Sequence, residues 1–556
     1  MSGPVKVDVL VVGSGAAGLS AAAMHGASVM VAEKASVLGG TSAWSGGWLW
    51  IPRNPLARAE GIDEAADAPL TYLQHEMGGE AADIRLQTFL RYGPEMVEFF
   101  HQRTAVQFLS GSAMPDFHPS PGAANGGRSV TAHPYDGRLL GDWLHRLRPP
   151  LETISLGGMG IAGGADMAHF FNATRSPRSA LYAARRLLRH GWQRLRAGRG
   201  QHLVNGNALV ARLLRSALDA GVRFQLNAPV VRLLQGPRGV SGAVLRSDGG
   251  EIHVEAGAVV LACGGFPHDR QRLAQVVPHA AEGYGHFSAA PPDNQGEGIR
   301  LGESVGGQFD TSLRHPLAWA PVSRVTLASG QQLMFPHLVE RAKPGVIAVL
   351  PNGKRFVNEA DSYHDFIAAL LAATPAGDTP QAWLLADRRA LRRYGLGHAR
   401  PFPFTPTAWL RTGYLQRGNT LAELAKQCAI DANALAETVE RFNHFASTGE
   451  DVDFHRGASA YNRAQGDHQV TLGPLREGPF YAVRILPGSL GTFSGLQTDE
   501  HARVLDEQQQ PIPGLYAIGN DMSSVMRGYY PSGGITLGPA MTFGYLVGKS
   551  LTKKQI

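Results

Sequence analysis

Six residues near the start of the chain, Gly13-Ser14-Gly15-Ala16-Ala17-Gly18, have the glycine spacing of a dinucleotide-binding turn. In this motif the first glycine allows a tight turn, the second allows the backbone to approach a pyrophosphate, and the third allows a helix to pack closely on a strand. Glu33 follows at the distance where a carboxylate can bind both ribose hydroxyls. The residue types and their spacing therefore predict that this part of the chain binds a dinucleotide.

The segments on either side of the turn predict the strand, helix and strand that the motif requires. Residues 7–12 are a short run of apolar and mostly β-branched residues, which is typical of a buried parallel strand. An alanine-rich helix follows the turn, and its N-terminal dipole is expected to face the phosphates. A second strand, residues 28–32, ends at Glu33. Because strand, helix and acid are all in place, a glycine-rich turn without a ligand explains the pattern poorly.

The composition indicates a large globular protein and argues against several functional classes. The 556 residues are 44% hydrophobic and 18% charged, which is enough apolar material for two to four structural units. The two cysteines, Cys263 and Cys428, form neither a CxxC pair nor a zinc motif, so we expect no metal. We expect Cys263, which lies in an apolar run, to be a small core residue. The net charge is +6, but aromatic residues are not interleaved with the arginines, so we expect no nucleic-acid partner.

Three features of the sequence bear on the location of the protein. The first residues lack the charged region and cleavage site of a signal peptide, and no run of 18 apolar residues occurs. We therefore expect a cytoplasmic protein. Residues 175–199 contain eight arginines, with leucine and tryptophan at helical spacing. This segment is interpreted either as a helix lying on the inner face of the membrane or as a solvated helix packed on the nucleotide domain.

The pattern along the chain predicts an α/β fold in which one domain interrupts another. After Gly306-Gly307 the sequence changes to longer loops rich in proline and tryptophan, and near residue 487 it returns to the first type. We therefore predict a nucleotide-binding domain made of residues 1–307 and 487–556, with an inserted α+β domain over residues 308–486 and the active site between them. The predicted elements of the first type are helices 86–103, 207–220 and 534–551 and strands 228–233, 240–246, 257–262 and 514–520.

Several blocks of the sequence resemble a known group of flavoproteins. The block Gly39-Gly40-Thr41-Ser42-Ala43-Trp44-Ser45-Gly46-Gly47 resembles the segment that wraps the FAD pyrophosphate and isoalloxazine in the fumarate reductase and succinate dehydrogenase flavoprotein superfamily. Within that superfamily the sequence is most similar to the 3-ketosteroid dehydrogenases. The other matching blocks are residues 294–298, 340–345, 355–359, 478–481 and 538–544. The resemblance therefore covers nearly the whole chain.

This resemblance implies a discontinuous, Rossmann-type FAD-binding domain that holds FAD non-covalently. The helix between Gly18 and Glu33 is about one turn, or ~3.6 residues, shorter than in most relatives, so the adenosine end of FAD is expected to sit differently. The implied FAD-binding residues are Gly13, Gly15, Ala16, Ala17, Gly18, Glu33, Lys34, Gly39, Gly40, Thr41, Ser42, Ser45, Gly46, Gly47, Val231, Ala262, Gly264, Gly519, Asn520, Gly534 and Leu537.

Dehydrogenation next to a ketone needs a group that polarises the carbonyl oxygen, a base for the α-proton, and a hydride acceptor. The resemblance implies that the Tyr530 hydroxyl and the Gly534 backbone N–H hold the ketone. It also implies that Tyr363 is the base and that flavin N5 takes the hydride. The implied reaction is 1(2)-dehydrogenation of a 3-ketosteroid, with the electrons passing to a quinone or another acceptor.

Two departures leave the substrate and the oxidised bond open. Relatives have an Asp-Tyr-Tyr-Pro segment where this chain has Asp116-Phe117-His118-Pro119. His118 is a candidate to assist Tyr363, because imidazole titrates near neutral pH, but it is equally interpreted as a loop residue. Ser532 fits the Tyr-x-Ser pattern of enzymes that 4-dehydrogenate 5α-reduced 3-ketosteroids.

Other flavin chemistries fit the sequence less well. A fumarate reductase needs one arginine as an acid and another to clamp a dicarboxylate. The corresponding segments here, residues 343–345 and 533–536, contain no arginine, and His315 alone is more typical of a structural residue. We therefore expect an FAD-dependent oxidoreductase acting on a cyclic ketone. The alternatives are 4-dehydrogenation, an enone or fumarate-type reductase, and a non-catalytic flavin-binding protein.

Overall fold

The computed structural model describes residues 4–24, 26–327 and 329–553, so the outer ends of the first and last predicted segments lie outside the described residues. In chain order the strands are β1 Val5–Val12, β2 Val29–Ala32, β3 Trp48–Trp50, β4 Phe108–Ser110, β5 Ser129–Ala132, β6 Tyr135–Asp136, β7 His202–Leu203, β8 Arg223–Gln225, β9 Val230–Gly236, β10 Gly239–Ser247, β11 Gly250–Leu261, β12 Phe287–Ser288, β13 Leu317–Thr326, β14 Gln332–Pro336, β15 Val346–Val349, β16 Ala382–Ala386, β17 Leu415–Gly418, β18 Phe480–Thr492, β19 Arg503–Leu505 and β20 Pro511–Ala517. The α-helices are α1 Ala16–Ala22, α2 Pro55–Ala59, α3 Ala68–Met77, α4 Ile84–Arg103, α5 Ala165–Asn172, α6 Pro177–Ala197, α7 Asn205–Asp219, α8 Arg270–Val276, α9 Pro278–Ala281, α10 Glu297–Glu303, α11 Tyr363–Ala373, α12 Arg388–Tyr394, α13 Thr407–Arg411, α14 Leu421–Cys428, α15 Ala432–Thr448, α16 Ala460–Gln465 and α17 Leu537–Lys553.

An eight-stranded sheet carries the glycine-rich turn. Its main order is β19-β20-β11-β1-β2-β8, and β10 and β9 extend from β11 as antiparallel strands. Strand β1 pairs in parallel with β2 and β11, and β11 pairs in parallel with β20. A strand from the C-terminal part of the chain therefore completes a sheet that begins with β1, as expected for the predicted α/β fold.

The strands and helices predicted for this part of the chain are confirmed, with shifts at their ends. The predicted strand 257–262 is the last part of β11, which begins at Gly250 because its first half pairs with β10. The predicted helix 534–551 begins at Leu537. Helix α1 is buried between its neighbours, and α17 packs closely against it, since a Cβ at Gly544 would lie 2.6 Å from the carbonyl oxygen of Ala17.

A second, seven-stranded sheet is centred on the long strand β18. Its main order is β14-β13-β18-β16-β15, and β12 and β17 also pair with β18. Helix α11 packs against β13, which places the first turn of α11 beside this sheet. The strands of this sheet lie between residues 287 and 492. The domain boundaries after residues 307 and 486 stay a prediction, and β12 and the end of β18 lie beyond them.

Residues 150–200, which we call the cap segment, include α5 and α6 and reach across to the second sheet. The ring Nδ1 of His398 hydrogen-bonds to the carbonyl oxygen of Thr153 at 2.8 Å. The guanidinium of Arg400 donates to the carbonyl oxygen of Ser155 at 2.5 Å. These hydrogen bonds attach the cap segment to the loops after α12.

A buried network of four charged side chains lies directly before α11. The Arg355 guanidinium contacts the carboxylates of Glu359 at 2.7 Å and Asp451 at 2.8 Å, and Arg456 contacts Glu359 at 3.0 Å. Burial opposes ionisation of Glu359, but the two arginines outweigh it and lower its pKa to about 2. The network therefore fixes the segment that leads into Tyr363.

We predict that Glu359→Gln lowers the free energy of unfolding by about 3–5 kcal/mol at pH 7, because it leaves buried arginine charge uncompensated. Chemical denaturation of the FAD-loaded protein measures the free energy of unfolding.

The same residue makes this free energy depend on pH. Because the pKa of Glu359 is lower in the folded state, the stabilisation that its carboxylate provides is present above the unfolded pKa of about 4.3 and is lost as the pH falls through about 2. The two proteins should therefore converge in strong acid. Glu477→Gln, in the exposed pair with Arg388, is the control and should change little; equal stability of Glu359→Gln and the parent at pH 7 would contradict the prediction.

Candidate active site

A cavity of about 1430 Å³ connects the glycine-rich turn with the second sheet and the cap segment. Its walls come from the turn after β1, the segment that leads into β3, the cap segment, the start of α11, and the loops after α12 and α16. Single-ligand pockets usually have volumes of roughly 300–1,000 Å³. The cavity therefore has room for a dinucleotide cofactor and a second ligand.

The glycines of the turn have distinct physical roles. Gly13 has φ of 107°, and a Cβ there would lie 2.2 Å from the carbonyl oxygen of Ala262. A Cβ on Gly18 would lie 2.2 Å from the carbonyl oxygen of Gly13. At Gly15, in contrast, the only atom of the described residues within 4 Å of an added Cβ is Ser42 Oγ at 3.5 Å, so the added group would project into the cavity. Two of the glycines thus serve internal packing, while Gly15 leaves space for a ligand, which fits the close approach of FAD.

Glu33 lies at the edge of the same cavity, directly after β2. Its Oε2 accepts hydrogen bonds from the Ser14 hydroxyl at 2.6 Å and the Ser14 N–H at 3.2 Å, and its Oε1 accepts one from the Ala35 N–H at 2.9 Å. Its neighbour Lys34 forms an ion pair with Glu297. The Glu33 carboxylate is therefore held in one orientation where the ribose of a dinucleotide is expected.

Most of the predicted FAD-binding residues line the cavity, but three do not. Gly18 and Gly39 pack against protein atoms, and Val231 lies on the other side of β9 from Val230, which does line the cavity. Successive residues of a strand point to opposite sides, so a one-residue error in position reverses the direction. The predicted residues that line the cavity are Gly13, Gly15, Ala16, Ala17, Glu33, Lys34, Gly40, Thr41, Ser42, Ser45, Gly46, Gly47, Ala262, Gly264, Gly519, Asn520, Gly534 and Leu537.

Two polar side chains that are not among the predicted FAD-binding residues hold the cofactor end of the cavity together, although one of them, Asn294, lies in a matching block. The Asn294 amide donates to Thr41 Oγ1 at 3.0 Å. The buried Asp521 carboxylate accepts from the backbone N–H groups of Cys263 at 2.5 Å and Gly265 at 2.9 Å, and burial raises the pKa of Asp521 to about 6. Cys263 itself, expected in the core, is only partly buried and lines the cavity. These contacts join residues about 250 positions apart, which no local pattern reveals.

Tyr363 and Tyr530 meet in the cavity wall. Tyr363 is the first residue of α11, whose N-terminus is capped by Ser362, and Tyr530 lies in the loop between β20 and α17. The Tyr363 hydroxyl donates to the Tyr530 hydroxyl at 2.7 Å, and both residues line the cavity. Burial raises the pKa of Tyr530 to about 12 and the pKa of Tyr363 well above its usual value. The pair is therefore neutral at physiological pH in this state.

The turn that carries Tyr530 and Gly534 is fixed by the backbone around it. The Trp50 N–H donates to the Gly534 carbonyl at 3.0 Å, and the Tyr72 hydroxyl donates to the Pro531 carbonyl at 2.7 Å. Gly534 has φ of 100°, and a Cβ there would lie 2.7 Å from the Trp50 nitrogen. Only glycine therefore allows this approach to β3.

Phe117 packs against both tyrosines. Its ring stacks on Tyr530 with centroids 5.8 Å apart and meets the Tyr363 ring edge-on at 5.6 Å. Its other neighbour is Tyr461, at 4.4 Å, a cavity-lining residue that the sequence did not indicate. Ser532, in contrast, is buried and does not line the cavity.

His118 lies behind the cavity wall, between two carboxylates. Its Nδ1 is 2.5 Å from Glu76 and its Nε2 is 2.7 Å from Asp365 in the first turn of α11. Burial lowers the pKa of His118, but the hydrogen bonds to Asp365 and Glu76 outweigh it and raise the pKa to about 10. At neutral pH the ring is therefore an imidazolium that donates from both nitrogens and cannot accept a proton.

Comparisons with known proteins agree with this geometry. The family model described as an FAD binding domain matches residues 8–537. A 4-oxocyclohex-2-ene-1-carboxylate 5-dehydrogenase from Sinomonas cyclohexanicum is 39% identical over 99% of this chain and 94% of its own length. A 3-oxosteroid 1-dehydrogenase from Mycolicibacterium smegmatis is 36% identical over 97% of this chain and 96% of its own. The crystal structure of 3-ketosteroid delta1-dehydrogenase from Sterolibacterium denitrificans, in complex with 1,4-androstadiene-3,17-dione, superimposes with a TM-score of 0.89 at 36% identity, covering 99% of this chain and 100% of that one.

We predict that alanine at Gly15 and alanine at Gly13 have different effects. Gly15→Ala should leave the thermal unfolding of the apoprotein unchanged but weaken FAD binding by roughly tenfold or more, because the methyl group enters the space of the pyrophosphate. Gly13→Ala should destabilise the apoprotein itself, because its Cβ would overlap Ala262. Titration of FAD fluorescence and melting of the apoproteins measure both effects. If Gly15→Ala bound FAD normally, this assignment of the turn would be wrong.

Proposed function

Because the chain belongs to the 3-ketosteroid dehydrogenase family of FAD-dependent oxidoreductases, we propose that it 1(2)-dehydrogenates a 3-ketosteroid. The enzymes of this family act on CH–CH groups, and the family is part of the fumarate reductase and succinate dehydrogenase flavoprotein superfamily. The observation that carries this proposal is the hydrogen-bonded pair of Tyr363 and Tyr530, which lines the same cavity as most of the predicted FAD-binding residues.

The walls of the cavity support a bulky, apolar substrate. Beyond the tyrosines the cavity extends under the cap segment and is lined there mainly by aliphatic and aromatic side chains. They include Ile154, Leu156, Met167, Phe170, Phe171, Phe335 and Leu338. Such a surface matches the hydrocarbon body of a steroid, because burying apolar area is favourable wherever no polar group is left unpaired.

The proposed chemistry assigns one role to each polar group near the tyrosine pair. The Tyr530 hydroxyl and the Gly534 N–H would hold the ketone oxygen, so that the α-carbon becomes acidic. Tyr363, after its own hydroxyl proton has passed to solvent, would then remove the α-proton as a phenolate. Bound FAD supplies the acceptor for the β-hydride. The ketone oxygen would accept a hydrogen bond from the Tyr530 hydroxyl. The deprotonated Tyr363 oxygen, which no longer donates to Tyr530, would face the α-carbon.

Two cations support proton removal in different ways. Arg341 is buried and donates to the carbonyl oxygens of His337 and Glu359, and its charge favours the phenolate of Tyr363. His118, as an imidazolium, is a positioning residue in this proposal. It holds Asp365, and with it the first turn of α11, where Tyr363 begins. Because its ring is protonated at neutral pH, His118 would not assist Tyr363 by accepting a proton.

The alternative reactions have less support at the site. For 4-dehydrogenation, Ser532 would have to reach the substrate, but it does not line the cavity. For a dicarboxylate reductase, the position predicted for an arginine acid carries Lys343, which donates to the carbonyl oxygens of Gln465 and Gly466 at 2.6 and 2.7 Å. A non-catalytic flavin protein would have no need to bring two tyrosines from distant parts of the chain into contact.

The proposal includes the fate of the electrons and the location of the enzyme. A quinone or another acceptor would reoxidise the flavin, in a cytoplasmic protein that contacts the inner face of the membrane through residues 175–199. The support for membrane contact is the row of arginines among exposed leucines in this segment.

A second candidate substrate is a small cyclic ketone that carries a carboxylate. One relative is named for 4-oxocyclohex-2-ene-1-carboxylate. Five cationic side chains line the cavity; they are Lys34, Arg148, Lys343, Arg393 and Arg400. Lys34, Arg148 and Arg393 are each paired with a carboxylate. Lys343 and Arg400 bond only carbonyl oxygens among the described residues, so a substrate carboxylate would pair with one of these two.

We predict that a 4-ene 3-ketosteroid bleaches the flavin absorbance of the FAD-loaded protein under anaerobic conditions. Bleaching by 5α-saturated 3-ketosteroids alone would indicate 4-dehydrogenation, and bleaching by 4-oxocyclohexanecarboxylate alone would support the second candidate. Reoxidation of the reduced flavin by an enone, without bleaching by any saturated ketone, would indicate a reductase. A flavin that responds to none of these compounds would refute dehydrogenation of a ketone.

We predict that Tyr363→Phe slows flavin reduction by about 10²–10⁴-fold, the usual contribution of a positioned base. Tyr530→Phe should slow it by about 10²–10³-fold, because one donor to the ketone oxygen is lost. Stopped-flow reduction with saturating ketone measures both rates. Tyr461→Phe is the matched control, since Tyr461 lines the same cavity and packs on the same phenylalanine, and it should remain near the parental rate. Equal losses in all three variants would argue against a specific base.

A further inference from the structure

Helix α6 presents apolar side chains on the side that faces away from the protein. Leu181, Leu188 and Leu195 are 73%, 75% and 89% exposed, and Trp192 is 54% exposed. Residues spaced three, four and seven apart lie on one side of a helix, so these four form a continuous stripe. The buried residues of α6 are Ser179, Ala183 and Gln193. The polarity of α6 is thus inverted compared with a surface helix that faces water.

A row of arginines runs along one edge of this stripe. Helix α6 contains six arginines and no acidic residue. Arg186, on the inner side, pairs with Asp166 at 2.8 Å, and Arg196 lies over the ring of Trp192 at 4.5 Å. The four arginines of the row form no ion pair with any residue that the structure describes; they are Arg178, Arg185, Arg189 and Arg196. Positive charge and apolar surface are therefore adjacent and unpartnered.

The same helix forms part of the wall of the substrate cavity. Its cavity-lining residues are Ala180, Ala183, Ala184 and Leu187. Leu187 is also 43% exposed and precedes Leu188 of the outer stripe, so apolar surface continues from the outside of α6 into the cavity. Phe402 and Phe404, about half exposed, line the cavity as well.

We propose that the outer side of α6 docks on a bilayer that contains anionic lipids, and that the ketone enters the cavity from this bilayer past Leu187. In this arrangement the leucines and Trp192 enter the acyl boundary while the arginine row contacts the lipid phosphates. No helix among the described residues is long and apolar enough to cross a bilayer, so the contact is peripheral. The docking is inferred from the surface of α6 alone, whereas the entry route rests on the proposed function.

The charge of α6 favours lipid over a second copy of the chain as the occupant. In a two-fold symmetric dimer the same patch lies on both sides of the interface. Two stripes in contact would then bring two rows of arginines together without acidic partners on the helix. Anionic headgroups beside acyl chains provide the complementary surface.

Flotation of the FAD-loaded protein with vesicles tests the docking. The parent should bind phosphatidylcholine vesicles that contain phosphatidylglycerol, and bind pure phosphatidylcholine vesicles much more weakly. Replacing Leu181, Leu188 and Leu195 with serine should reduce the partition coefficient at least about tenfold, as should Arg185→Glu with Arg189→Glu. The matched control is Arg238→Glu with Arg246→Glu, an equal change of charge on the exposed β9–β10 hairpin, and it should float like the parent.

Two results would overturn the docking. One is equal flotation of the parent and the triple serine variant. The other is a dimer in light scattering that the serine substitutions dissociate, without vesicle binding by the parent, which would assign the stripe to a second copy of the chain. Far-ultraviolet circular dichroism and the FAD content of each variant separate misfolding from loss of lipid binding.

Turnover of the ketone from two sources tests the entry route. With a 3-ketosteroid dissolved in anionic vesicles, the triple serine variant should be at least about tenfold slower than the parent. With the same steroid supplied from cyclodextrin, the two proteins should be equally fast. Equal rates from vesicles would refute the entry route. If the parent turned over the steroid from neither source, the proposed substrate would be wrong, while flotation would still decide the docking.

Discussion

The hydrogen bond between the Tyr363 and Tyr530 hydroxyls joins residues 167 positions apart, and the candidate active site depends on it. Tyr363 begins a helix packed on the second sheet, and Tyr530 follows a strand of the first sheet. The two oxygens can approach to 2.7 Å only when both sheets are folded and docked. Tyr363 is held in place by the buried ion-pair network before α11. Tyr530 is held in place by the backbone contacts of Gly534 with β3. The reactive geometry is therefore a property of the whole chain.

Burial of this pair has an electrostatic consequence. Both phenols are neutral in the ligand-free state, because desolvation disfavours the phenolate. Proton removal from a substrate therefore needs compensating positive charge nearby. Arg341 forms no ion pair with any described carboxylate, whereas the charge of His118 is already shared by two carboxylates. In the proposed mechanism Arg341 therefore stabilises the phenolate, and His118 holds the helix.

Sequence alone could predict the features of the site that depend on local spacing. The glycine-rich turn, Glu33 and the strand–helix–strand unit follow from residues within one short segment, and the structure places them as predicted. The environment of His118 could not be predicted, because its partners Glu76 and Asp365 lie 42 and 247 positions away. The same reason explains why Asp521 and Tyr461 were missed. Val231 does not line the cavity although Val230 does, because successive residues of a strand point to opposite sides.

The buried ammonium of Lys343 shows how one residue could separate the two substrate classes. Burial lowers its pKa to about 8, and two carbonyl oxygens accept its hydrogen bonds. An apolar ligand that displaced water from this part of the cavity would lower the pKa further and release a proton, so its binding would strengthen as the pH rises toward 8 and level off above it. A carboxylate would instead raise the pKa and hold the proton, so its binding would be constant below pH 8 and weaken as the pH rises above it. The affinities of the steroid and of the carboxylate ketone should therefore depend on pH in opposite directions. The sign of each dependence follows from the charge of the ligand alone.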